Sequence, residues 1–169
     1  MAALSNPLPL APYRALDLTE GGFNWCGKVL ADLGADVIKI EPPEGSPSRL
    51  MGPFMDDAED SDHSLFWFAY CLNKRSVVLD IEDRKDRDAL SELAATADFF
   101  IESFAPGYLN DRGLGYKDLA SLNPGLVYTS ITPYGQTGPR ATTESPILSA
   151  GQWEECSICA EKRIDLPYV

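Results

Sequence analysis

Between Leu30 and Pro42 the chain reads LADLGADVIKIEP: a helix end, a glycine turn, a strand, then an acidic residue ahead of two prolines. This order constrains the fold more than any other feature, because apolar strands and helices keep succeeding one another to about residue 134. Strands that alternate with helices are joined by crossovers, so they pair in parallel with helices on both faces of one sheet. The spacing predicts strands at 14–18 (RALDL), 36–40 (DVIKI), 76–81 (SVVLDI), 98–102 (DFFIE) and 126–131 (LVYTSI). It predicts a helix over 23–33, where Phe23, Cys26, Val29, Leu30 and Leu33 recur at helical intervals. Further helices are expected at 64–72 (short, aromatic and buried), at 83–97 and at 117–122, with a short one beginning at Tyr108 and stopped at Gly113. Gly34 stands where a helix stop needs a left-handed residue, and Pro42-Pro43 ends the second strand.

A chain of 169 residues can bury one core, and 44% hydrophobic with 24% charged residues is an ordinary globular balance. The formal net charge of −12 repels phosphate backbones and excludes nucleic acid as the expected partner. It also gives an anionic cofactor no long-range attraction, so phosphates would have to be held locally, by backbone N–H groups or a few basic side chains. No apolar run reaches the roughly 18 residues of a membrane span. Residues 1–13 hold three prolines among the first twelve residues and no basic n-region, which predicts a loose extended arm. Cys26 and Cys71 fall in apolar patterns and read as buried thiols, which fits a reducing cytosol and a cytoplasmic location. Residues 44–62, rich in Pro, Ser, Gly and acid, read as a long surface loop of the functional or mobile kind.

In sheets of this type ligands bind outside the carboxyl ends of the strands. The candidate segments are 17–22, 41–49, 79–82, 102–107 and 133–139. No G-x-G-x-x-G follows the first strand and no P-loop pattern occurs, so ordinary dinucleotide and triphosphate sites are weakly supported. His63, the only histidine, reads as a solvated or capping residue and offers little for a Ser-His-Asp relay. Cys156-x-x-Cys159 lacks the second pair a structural zinc needs and the helix start a redox pair prefers. Arg49, Lys74 and Arg75 read either as surface charge or as the local phosphate contacts an acidic polyanion-binding protein needs. Phe66, Trp67, Phe68 and Tyr70 read as core or subunit contact, with ligand stacking as the alternative.

Four segments in register resemble one family. They are LADLGADVIKIEPPEG followed by Arg49, NKRSVVLDI (73–81), ADFFIESFAPGYL (97–109) and GLGYKDLASLNPGLVYTSITPYGQTGP (113–139). Together they resemble the amino-terminal part of a class III coenzyme A transferase, the superfamily of formyl-CoA transferase, carnitine CoA-transferases and α-methylacyl-CoA racemase. The resemblance covers about residues 14–140. It implies a Rossmann-like open parallel sheet of about five strands with helices on both faces, and CoA bound along the strands' carboxyl ends. Matched position by position, cofactor contacts fall on Leu79, Asp80, Ser103 and Phe104. The loops carrying Arg49 and Gln136–Gly138 would flank the cofactor. The family commonly has Asn where Ser103 stands, and a basic phosphate-contact position of some members is Asp111 here, with Arg112 beside it.

What the resemblance implies for chemistry is CoA transfer between an acyl-CoA donor and a carboxylic acid acceptor, without a metal. An enzyme Asp attacks the thioester, an enzyme–CoA thioester follows, and the acceptor acid collects the CoA, with a backbone glycine loop elsewhere in the fold stabilising the oxyanions. That Asp is expected beyond Val169; Asp165 is in neither its motif nor its register, so no catalytic residue is assigned. The pair at Ser145-Pro146 also departs from the aromatic or His followed by Asp that members often carry. Residues 141–169 are expected to be an extension truncated before the rest of the family fold. The chain alone is then a fragment expected to be inactive, of an enzyme expected to be a homodimer. A catalytically silent CoA-binding or partner subunit is the alternative, and an acyl-CoA racemase a third.

Overall fold

The computed structural model describes residues 8–57 and 60–141. Its nine main elements alternate along the chain. They are β1 (Arg14–Leu18), α1 (Asn24–Asp32), β2 (Asp36–Glu41), α2 (Leu65–Cys71), β3 (Arg75–Val78), α3 (Arg84–Ala94), β4 (Phe99–Glu102), α4 (Tyr116–Leu122) and β5 (Val127–Ser130). All strand pairs are parallel, in the order β3-β2-β1-β4-β5. The expected α/β sheet with helices on both faces is therefore found. The chain winds outward from β1 through β2 to β3, then returns to the far side of β1 for β4 and β5. Direction reverses between β1 and β4, and a crevice opens at such a point.

The period-two alternation of the strands divides the interior. Leu16, Leu18, Ile38, Ile40 and Phe100 meet Leu90 and Ala94 of α3 and Leu119 of α4 in the larger core cluster. Ala15 and Val37 face the other way, against Ala31 of α1 and Ala35. The next residues in that second row are Asp17 and Lys39, both fully buried. Two charged residues thus occupy positions that alternation reserves for the core.

Local chemistry sets the helix ends. After α1, Gly34 adopts φ +100°. Its N–H donates to Ala31 O at 3.0 Å while the Ala35 N–H donates to Leu30 O at 3.0 Å. These are the paired bonds of a Schellman stop. The α3 start is held by Asp83, whose carboxylate accepts from the Lys85 N–H at 2.7 Å. On α2 the Ser64 hydroxyl accepts from the Trp67 N–H at 3.0 Å.

Four expectations are corrected. β3 ends at Val78 rather than residue 81: the Leu79 N–H still donates to Glu41 O at 2.9 Å, after which the chain leaves β2 and turns towards the Asp83 cap. The aromatic helix is not buried: only Cys71 of α2 is, while Leu65 and Phe68 are exposed. Cys26 is exposed, whereas Cys71 is buried as expected. The 44–57 stretch is not free loop either, since Ser46 and Ser48 are buried and Phe54 bridges to Ser64. Of the amino-terminal arm, residues 8–13 are described, and the Leu10 N–H donates to Leu33 O at the end of α1. No helix among the described residues is long and apolar enough to cross a membrane.

Candidate functional site

The carboxyl ends of β1, β2, β3 and β4 enclose a pocket of about 290 Å³. Leu18, Ile40, Pro42, Pro43, Leu79 and Ile81 form its apolar part. Phe104 and Tyr108, four residues apart beyond β4, make an aromatic wall, stacked with ring centroids 4.8 Å apart and 14° between planes. Apart from Pro47 the remaining lining is acidic, with Glu20, Glu41, Glu44, Asp80 and Glu82. No Lys or Arg lines it.

Buried Glu41 and half-buried Glu20 each have their own support. Glu41 accepts from Arg49 Nε at 2.7 Å and Nη2 at 2.9 Å, from the Ser46 N–H at 3.0 Å and from the Ser76 hydroxyl. Burial pushes its pKa up, but the Arg49 guanidinium, the Ser76 hydroxyl and the Ser46 N–H outweigh it and hold the pKa down at about 2. Glu20 accepts from the Ser46 and Ser48 hydroxyls and from Lys39 Nζ, while its backbone N–H donates to Ser103 Oγ at 3.0 Å. Loops after β1, β2 and β4 are thereby tied together at the reversal point.

A second, more open depression of about 850 Å³ lies across β4 and β5. It is lined by Glu102, Tyr128, Ser130 and Gln136, among others. Glu102 is 4% exposed. Burial raises its pKa against the lowering effect of the Ser130 hydroxyl and the Phe104 N–H. Gln136 Nε2 donates to Ser130 Oγ.

The expected site residues thus separate. Leu79, Asp80 and Phe104 come together in the first pocket. Ser103 stands beside them, bonded to Glu20. Gln136 belongs to the second depression, and exposed Gly138 (φ +107°) lines neither. The basic positions are committed elsewhere. Arg49 spends its fork on Glu41 and lies 3.9 Å over the Trp67 ring. Lys74, 1% exposed in its side chain, donates to Asp17 Oδ2 and to Asn24 O, each at 2.7 Å. Arg75 pairs with Asp36 at the amino end of β2, the opposite edge of the sheet. His63 Nδ1 lies 2.7 Å from Asp60, whose carboxylate raises the imidazole pKa. Cys156, Cys159, Ser145, Pro146 and Asp165 lie outside the described residues.

Of the acidic residues lining these depressions, sequence reasoning assigns only Asp80, and two of those it misses tie the site together, Glu102 and Glu20. Glu102 sits inside the FIESF run, and its strand position, two beyond Phe100, signals an inward carboxylate. Glu20 had no signal beyond following the first strand, because its partners come from residues 39, 46 and 48. Among the described residues no group of three or more His, Cys, Asp or Glu could hold a metal.

The family model for CoA-transferase family III matches residues 10–146. The chain belongs to this family. It is 40% identical over 129 residues to succinyl-CoA:(R)-benzylsuccinate CoA-transferase subunit BbsE of Thauera aromatica, covering 76% of this chain and 32% of the relative. It is 41% identical over 140 residues to human succinyl-CoA:glutarate CoA-transferase, covering 80% of this chain and 31% of the relative. A crystal structure of a CAIB/BAIF family protein from Brucella suis superimposes with TM-score 0.75 at 36% identity, covering 83% of this chain and 37% of that one. The chain spans about one third of the length of these curated relatives.

Proposed function

We propose that this chain is the CoA-binding part of a class III CoA-transferase. The intact enzyme moves CoA from an acyl-CoA donor to a carboxylic acid acceptor through an enzyme Asp outside this chain, and it works as a dimer in the cytoplasm. The observation that carries the reading is the convergence of Leu79, Asp80 and Phe104 on one pocket at the reversal of the sheet. These are positions at which the resemblance puts cofactor contacts. Ser103 supports the same site by holding the Glu20 loop. Arg49 braces the loop after β2 through Glu41 rather than meeting phosphate itself, and Lys74 and Arg75 serve the scaffold through their own ion pairs. Gln136 and Gly138 flank the cofactor from the β5 side.

Isothermal titration of the chain with CoA tests this. Saturable binding is expected, weakened about tenfold or more in Phe104→Ala by loss of the stacked wall. Absence of binding by a folded chain would refute the reading. A second reading, a partner subunit without its own covalent chemistry, gains support from the Thauera relative, which is named as a subunit. An assay of the intact protein alone separates the two, since a silent subunit turns over no acyl-CoA until a complementary chain is added.

A further inference from the structure

A CoA-binding pocket lined by five carboxylates and no Lys or Arg poses a problem. The cofactor brings phosphates, and the net charge of −12 adds to the repulsion. A cation standing behind the lining would offset both. Four stand there. Lys39 is buried against Glu20. Arg49 is locked bidentate on Glu41, whose side chain is 3% exposed. Arg87 donates to the carbonyls of Ile81 and Glu82, closing the turn before α3. Lys39 and Arg49 cannot leave their partners without stranding a buried charge, and Arg87 meets the lining only through backbone carbonyls of the turn.

Arg112 differs. Its Nε and Nη2 donate to Glu82 Oε1 at 2.9 and 2.6 Å. That carboxylate is 58% exposed and free to swing into water. Meanwhile Nη1 donates to Tyr108 O at 2.9 Å, and the guanidinium lies 3.6 Å over the Tyr108 ring. The Tyr108 hydroxyl also donates to Glu82 Oε1 at 2.7 Å. Glu82 and Tyr108 both line the pocket. If Glu82 departs, Arg112 stays where it is, held by the Tyr108 carbonyl and ring. Its freed Nε/Nη2 edge is the fork that phosphate oxygens accept from in pairs.

We propose that Arg112 is the phosphate-binding residue of this pocket, held in reserve by Glu82, and that a cofactor phosphate enters by displacing the Glu82 carboxylate from the guanidinium. The inference rests on the CoA reading and adds the residue that makes an acidic pocket compatible with it. Glu82 sets a threshold: a ligand without a phosphate within reach of Arg112 leaves the ion pair closed. One exposed carboxylate is exchanged for a more highly charged anion on the same two donors, so the exchange favours phosphate.

Titrations of the 169-residue chain with CoA and with dephospho-CoA test the exchange, with folding checked by thermal melts. Arg112→Leu should weaken CoA about tenfold or more, the scale of a lost charge-assisted hydrogen bond. Arg112→Lys, which keeps the charge and loses the fork, should recover only part of this and serves if the Leu variant is unfolded. Glu82→Gln should tighten CoA, because no anion then has to be displaced. A loss confined to CoA assigns the 3′-phosphate, and an equal loss for dephospho-CoA assigns the diphosphate. Glu82→Gln weakening CoA in step with Arg112→Leu would overturn the exchange, since the carboxylate would then be positioning Arg112. Unchanged binding in Arg112→Leu would also overturn it while leaving the CoA reading standing; no binding by the unsubstituted chain would end both.

Discussion

Glu41 is nearly fully buried, yet it stays ionised because Arg49, Ser46 and Ser76 surround it with donors. Its folded-state pKa of about 2 lies below the ordinary carboxylate range. A depressed pKa stabilises the fold above the unfolded value, and that stability is lost as pH falls towards the folded value. The pair should therefore contribute about 3 kcal/mol at neutral pH, decaying between roughly pH 5 and pH 2. Arg49→Ala leaves a buried carboxylate unpaired and should cost about 3–5 kcal/mol in urea unfolding at pH 7. The same variant should flatten the acid limb of stability against pH; an unchanged limb would show that Glu41 is not its source. Here the sequence was legible only in part. Arg49, Lys74 and Arg75 stood out as basic positions, but the string does not distinguish a free cation from a paired one. The partner of Lys74 is Asp17, 57 residues away, and nothing local announces it.

Most elements could be read because their boundaries are set by local chemistry. The Gly34 stop, the Asp83 cap and the strand alternation each act within a few residues. Boundaries failed where tertiary contacts decide. The apolar run 76–81 looks like one strand, but Leu79 and Ile81 turn away to pack beside the core and line the pocket. The aromatic density of α2 suggested burial, but the described neighbours cover only one side of that helix. Two glycines illustrate the close packing. A Cβ on Gly34 would sit 2.3 Å from Leu8 Cβ, at a φ that L side chains rarely adopt. A Cβ on Gly27 would sit 2.1 Å from Asp17 Oδ2, so glycine is what lets α1 pass over the Asp17–Lys74 pair. Gly34→Ala should lower stability by about 1–2 kcal/mol through lost left-handed geometry and the Leu8 clash. A thermal melt within error of the parent would contradict the Schellman assignment.

At the scale of the whole molecule the two helical layers are unequal. The α3/α4 layer covers a continuous core and leaves only Tyr116 and Leu122 of α4 among its large apolar side chains exposed, whereas α1, α2 and their ends leave Trp25, Val29, Leu33, Leu65, Phe68 and Leu72 exposed. Edge strand β3 adds exposed Val77 and Val78. Apolar surface of this kind, beside an open sheet edge, favours association. Light scattering after size exclusion should give a mass that rises above 18.5 kDa with concentration, and a constant monomer mass would contradict this. Binding is expected elsewhere, at the strand ends, where sheet topology makes the crevice. Hydrogen exchange of the chain with and without CoA tests that claim most directly. Slower exchange in residues 79–82 and 103–108, with β3's edge and the α1/α2 face unchanged, is the result predicted. Unaltered exchange at the strand ends under saturating CoA, or protection found only elsewhere, would contradict the account.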